Sequence, residues 1–200
     1  MSSNIKFAHI APTSYLYELT ASNGIHLILA HLVESDENYR NFYKNLNDGR
    51  PKILDNSAYE MFKQGKPMYD TNKLIHAGLQ VNADYIVLSD YPNKNGQYTI
   101  DSANNNIDYF KSEGFKTFFV PQSKERDLID YIETFRWGIN NLSVDLVGVS
   151  ILGVPNAFGV LNNKCQRFYS RWKMMKTLED YGVLDMHNKN HQKRLHFLGM

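Results

Sequence analysis

Short apolar runs alternate with amphipathic stretches about every 30 residues, which predicts an α/β domain with a parallel sheet. The runs are mostly continuous in their apolar character, as strands covered on both faces are. Most end in polar residues, the place where parallel α/β domains collect their chemistry. The two candidate architectures are a (β/α) TIM-type barrel and an open doubly wound sheet. The whole chain, residues 1–200, reads as a single domain of this kind.

IKFAHIA (residues 5–11) is the candidate first strand. The interior strands are IHLILAHLV (25–33), PKILDNSAY (51–59), ADYIVLSDY (83–91), FKTFFVPQ (115–122) and DLVGVSILG (145–153), and LHFLGM (195–200) is the last. Between them, 37–46 carries Tyr39, Phe42, Tyr43 and Leu46 at helical spacing. Residues 71–81 place Leu74, Ile75, Gly78 and Leu79 on one side. The stretch 102–113 opens on a Ser/Asp cap region and stops before Gly114. A helix over 123–137 carries Leu128, Ile129, Ile132 and Phe135, and one over 165–181 ends at Gly182. The count is about seven strands, one short of a closed eight-stranded barrel. The sequence therefore predicts an incomplete barrel with its last strand missing, either truncated, split or completed by another chain.

Composition narrows the function classes. Lys+Arg is 22 and Asp+Glu 21 in 200 residues, for a formal net charge of +1, which excludes a uniformly basic nucleic-acid coat but not a local basic patch. The single Cys165 excludes an intramolecular disulfide and any multi-cysteine metal centre within the chain. That usage fits a reducing, cytoplasm-like compartment. The start, MSSNIKFAHIAPTSY, lacks a cationic segment followed by a long apolar run, so no signal peptide or membrane span is expected.

Asp55-Asn56-Ser57, Ser89-Asp90, Gln122, and Ser150 with Gly153 close consecutive strands. Any one Asp after a strand reads as a helix cap. Two Asp, one Gln and a bare glycine backbone at successive ends read better as a set. They offer carboxylate acceptors and an amide that both donates and accepts. Such a set suits a flat polar heterocycle such as a purine. Tyr59 supplies an aromatic face for it or fills the core.

ILDNSAYE (53–60) resembles the strand-end Asp-Ser-Gly-Gly-Phe-Gln motif of the tRNA-guanine transglycosylase (queuine tRNA-ribosyltransferase) superfamily. It is closer to the Leu-Asp-Asn-Gly-Ala-Tyr/Phe-Glu version in phage and DNA-modifying relatives, which insert 7-deazaguanine bases into DNA. VLSDYP (87–92), VPQ (120–122), VGVSILGV (147–154) and LHFLGM follow in the family's order, so the resemblance covers 51–200. It implies a TIM-type barrel that exchanges guanine in nucleic acid, DNA ahead of tRNA, for a 7-deazaguanine derivative through a covalent glycosyl-enzyme intermediate. By the same resemblance Asp55 stands beside the scissile glycosidic bond as the catalytic residue. Tyr59 stacks on the base, Asp90 and Gln122 hydrogen-bond its edge, and the backbone at Leu152 and Gly153 completes its recognition. The family's nucleophilic aspartate follows the strand that LHFLGM resembles, beyond Met200, and its Cys/His zinc cluster has no counterpart here. Neither cofactor nor metal is expected; His187, His191 and His196 with Asp185 read as a solvated loop rather than a metal site.

Basic residues gather late, and Arg167, Arg171 and Lys173 are the candidate nucleic-acid contacts, interleaved with Tyr169 and Trp172. The competing reading packs Phe168, Trp172 and Met175 inward and leaves the cations in water. The alternative function is a catalytically incomplete purine- or nucleic-acid-binding protein, or one subunit of a split enzyme, with a homodimer or second chain closing the barrel. An unrelated barrel enzyme of sugar or phosphate metabolism would need a glycine-rich phosphate cradle, and Gly153 and Gly159 are too few for it.

Overall fold

The computed structural model describes residues 6–199. Six strands, β1 (His26–Leu29), β2 (Lys52–Asp55), β3 (Tyr85–Val87), β4 (Lys116–Phe119), β5 (Leu146–Ser150) and β6 (Leu195–Leu198), form one parallel sheet in chain order. A doubly wound sheet reverses its strand order at a switch point; this one does not, and it curls into an open half-barrel. Leu29 lies beside Asp55, Val87 beside Phe118 and Ser150 beside Leu198, so the carboxyl ends share one rim.

The helices are α1 (Leu16–Thr20), α2 (Ala30–Ser35), α3 (Glu37–Asn45), α4 (Ala58–Lys63), α5 (Thr71–Val81), α6 (Gly96–Ser112), α7 (Leu128–Asn140), α8 (Gly153–Ala157), α9 (Lys164–Asp180) and α10 (Lys189–Arg194). None among the described residues is long and apolar enough to cross a membrane. Two apolar clusters record the two faces of the sheet. The larger joins Ile28, Leu54, Ile86, Phe119 and Val147 to helix residues such as Tyr39, Leu74, Phe110, Phe135 and Met174. The smaller holds Leu27, Ile53, Val87, Phe118 and Val120 on the inner face. Neighbours in sequence thus point to opposite faces, the period-two geometry of strands.

The run 5–11 is not a strand where it is described. Ile5 lies outside the described residues, and 6–11 are irregular. Their tie to β1 is the Phe7 carbonyl, which accepts from the amides of Gly24 and Ile25 at 2.7 and 3.3 Å. Phe7 and Ile10 stay exposed, and of this run only the small Ala8 and Ala11 pack against the apolar clusters. The run 25–33 also divides, with β1 ending at Leu29 and α2 taking over from Ala30. Two helices start elsewhere than their first Ser implied. Asn95 caps α6, its side chain accepting from the Gln97 amide at 2.9 Å, and Asp127 caps α7 by accepting from Asp130 at 3.0 Å.

Several cations close helix carboxyl ends, where carbonyls lack partners. Lys52, buried at the start of β2, donates to the carbonyls of Tyr43 (2.6 Å) and Val81 (3.1 Å), in the last turns of α3 and α5. Arg194 reaches four carbonyls at the end of α7: Gly138, Ile139, Asn141 and Val144. Gly96 allows α6 to start against α7, because a Cβ there would overlap Thr134 Oγ1 and come within 2.9 Å of the Gln122 carbonyl. Its amide also donates to both Asp130 carboxylate oxygens.

Candidate functional site

A cavity of about 330 Å³ opens at the carboxyl ends of the strands. Its floor is aliphatic, from Leu27, Leu29, Val87, Val120 and Leu198. Asp55, Tyr59, Asp90, Gln122, Leu152 and Gly153, expected from sequence as one site, all line it. Asp55 ends β2, Tyr59 stands in the first turn of α4, Asp90 and Gln122 follow β3 and β4, and Gly153 opens α8.

The turn after β2 aims these groups. Asp55 Oδ1 accepts from the Ser57 amide at 2.7 Å, and Asn56 Oδ1 from the Ala58 amide at 2.9 Å. The two side chains fold the chain back into α4 and hold Ser57 at φ 56°, a left-handed conformation that costs a non-glycine residue about 1 kcal/mol or more. Ser57 Oγ is fixed in turn by His31, whose amide donates to it at 3.2 Å and whose Nδ1 lies 2.8 Å away.

Asp90 is only 3% exposed, and both of its oxygens are engaged. Asn56 Nδ2 donates to Oδ1 at 2.7 Å and Gln122 Nε2 to Oδ2 at 2.5 Å. Asn56 Nδ2 also donates to the Leu88 carbonyl at 2.6 Å. These bonds brace the ends of β2, β3 and β4 against one another. Burial raises the Asp90 carboxyl to about 6 against the pull of the two amides. Burial raises Asp55 further, to about 7; the Ser57 amide opposes it, and the negative charges of Asp90 and Glu60 add to it. Asp55 is therefore near half-protonation at neutral pH.

Asp55, Glu60 and Asp90 give the wall three carboxylates, and among the described residues no Lys, Arg or His lines it. Such a wall repels a free phosphate and favours a neutral or cationic ligand with N–H donors. Tyr59 and Phe62, three residues apart on α4 and both about half exposed, flank the mouth with Ile10. Gly153 leaves room for Gln122, since a Cβ there would stand 3.2 Å from Gln122 Oε1.

The structure adds residues that the sequence reading did not single out as site residues. Asn56 sits inside the Asp-Asn-Ser turn and organises Asp90; its adjacency to Asp55 was the available signal. Phe62 was marked only by its helical spacing from Tyr59. Asn156 lines the cavity and donates to the Ser123 carbonyl at 3.0 Å, a contact across 33 residues that no local pattern announces.

Arg167, Arg171 and Lys173 lie on α9, outside the cavity wall. Arg171 is buried and donates to the Leu198 carbonyl at 3.2 Å, Arg167 donates to the Leu161 carbonyl, and exposed Lys173 sits 4.9 Å over the Phe158 ring. The late histidines do not converge. His191 Nδ1 accepts from the Asp185 amide, Asp185 accepts from the His187 amide, and His196 packs edge-on to Phe118, with burial lowering it to about 4. Among the described residues no group of three or more His, Cys, Asp or Glu side chains is placed to hold a metal ion. Compared with protein-family models and with curated proteins, the chain matches none.

Proposed function

We propose that this cavity binds guanine or a 7-deazaguanine, and that the protein exchanges such bases in nucleic acid, DNA ahead of tRNA, on an incomplete TIM-type barrel. The observation that carries this reading is the convergence of Asp55, Asp90, Gln122 and Tyr59 on one acidic cavity at the strand carboxyl ends. Ionised Asp90 keeps free lone pairs beyond those used by Asn56 and Gln122, and they match the N1–H and amino donors of a guanine edge. Adenine presents an acceptor at N1 and leaves a buried acceptor without a donor, at a cost of about 1–3 kcal/mol. Tyr59 offers the stacking face.

In the exchange, a carboxylate attacks C1′ and the bond from C1′ to N9 breaks. The electron pair leaves with the base, which takes up a proton. The incoming base then returns its N9 proton to Asp55, attacks C1′ and displaces the carboxylate. Asp55, near half-protonation at neutral pH, supplies the proton to the departing base in its protonated form. A second reading, a base-binding protein or one subunit of a split enzyme, is favoured by the capping of Asp90 by two amides. The Ser57 amide likewise engages one oxygen of Asp55.

Calorimetry with guanine, 7-deazaguanine and adenine tests the pocket. The expected result is guanine and 7-deazaguanine bound at least about tenfold tighter than adenine, and equal or better adenine binding refutes the reading. Incorporation of labelled guanine into DNA and tRNA then separates the two versions: exchange requires the first, and tight binding without exchange selects the second.

A further inference from the structure

Helix α9 buries an apolar stripe with one arginine and exposes large aromatics on its outer side. Its buried side carries Ser170, Arg171, Met174 and Leu178. Its outer side carries Phe168, Tyr169 and Trp172, the last two each 60% exposed. The Tyr169 and Trp172 rings stack on each other, 5.5 Å between centroids and 30° between planes. Exposed Lys173 and Lys176 flank this pair, and exposed Lys164 begins the helix; Lys176 lies 3.8 Å from Glu179. Arg171 and Arg167 are used inward, on the carbonyls of Leu198 and Leu161. Both of those residues line the cavity, so α9 is fastened to the cavity's rim.

Charge is uneven along the chain. Residues 161–200 hold eight Lys/Arg against three Asp/Glu, whereas 1–160 hold fourteen against eighteen. The exposed aromatics therefore sit in the cationic part of an otherwise acidic molecule.

We propose that the outer face of α9 is a platform for single-stranded nucleic acid, with bases stacking on Tyr169 and Trp172 and phosphates meeting Lys164, Lys173 and Lys176. This rests on the reading of the cavity as a site for a nucleic-acid base and adds where neighbouring nucleotides go. A single strand fits better than a duplex, because stacking needs open base faces and duplex bases are already stacked. A polyanion fits better than a second copy of the chain, since two such faces would bring like charges together.

The test is fluorescence anisotropy of full-length protein with a labelled oligothymidine and with a duplex of equal length. Single-strand binding is expected to exceed duplex binding and to quench Trp172 emission. Tyr169→Ala/Trp172→Ala should weaken it at least about tenfold. Lys173→Gln/Lys176→Gln should reduce its dependence on log salt by about 1.4. The aromatic pair is exposed, so the same double variant should bind guanine as wild type does. No single-strand binding by wild type, or undiminished binding by the aromatic variant, overturns the platform. So does a dimer in sedimentation that the aromatic variant dissolves, which would make the face a self-association surface. Failure of guanine binding with strand binding intact would instead overturn the cavity reading alone.

Discussion

Asp55→Asn should make the protein's stability less sensitive to pH. The carboxyl at position 55 is raised to about 7 in the folded chain, chiefly by burial. In the unfolded chain it titrates near 3.9. Between those values the folded state holds the proton and the unfolded state does not, so stability falls as pH rises. It is unaffected below about pH 4 and fully reduced above about pH 7. Each pH unit within the window is worth about 1.4 kcal/mol, so wild type loses about 3 kcal/mol from this group between pH 5 and its folded titration point. Asparagine carries no charge, and its amide oxygen can still accept from the Ser57 amide. Asp90 titrates in both proteins and largely cancels in the difference. Urea unfolding followed by circular dichroism at pH 5 and pH 8 gives the four stabilities needed. The variant should gain about 3 kcal/mol on wild type between the two pH values. A gain below about 1 kcal/mol would mean that Asp55 reaches solvent freely, and the argument for a proton held there at neutral pH would fail.

Guanine affinity should fall as pH drops through about 6, where Asp90 takes up a proton and loses acceptor strength; calorimetry at pH 5 and 7 reads this. Asn56→Ala should cost about 2–4 kcal/mol in urea unfolding, because it strips donors from Asp90 and the Leu88 carbonyl in a buried place. Gly96→Ala should destabilise by about 2–4 kcal/mol through its overlap with Thr134, and Thr134→Ala should recover part of that loss in the double variant. Lys52→Met should cost about 2–3 kcal/mol by leaving the carbonyls of Tyr43 and Val81 without their shared donor.

The parallel sheet was legible because each interior strand passes its apolar residues to two covered faces. Ile53 goes inward and Leu54 outward, and both must be apolar. The cavity was legible for a related reason: polar residues at strand ends share a rim once the strands are parallel and in order. The first segment misled because Phe7 and Ile10 look like strand residues yet remain exposed. Helix α9 misled in the opposite sense. Arg171 was expected to face a nucleic acid with Arg167 and Lys173 but is drawn inside by the Leu198 carbonyl, whereas Trp172 stays outside and does not pack inward as the competing reading had it. Nor does sequence spacing reveal that Asn56 would tie down Asp90, a contact spanning 34 residues.

The brace formed by Asn56, Asp90 and Gln122 bears on the thermodynamics of any ligand that enters. Three polar side chains from three loops already sit in fixed rotamers, each restrained by another. Ordering a free side chain on binding costs about 0.5–1.5 kcal/mol, and here that ordering is complete before the ligand arrives. The incoming base therefore meets a frozen template whose bonds it must match rather than induce. Little entropy is left to lose, and a poorly matched ligand cannot recover by rearranging the wall. Such a braced wall gives discrimination between bases more readily than it gives raw affinity.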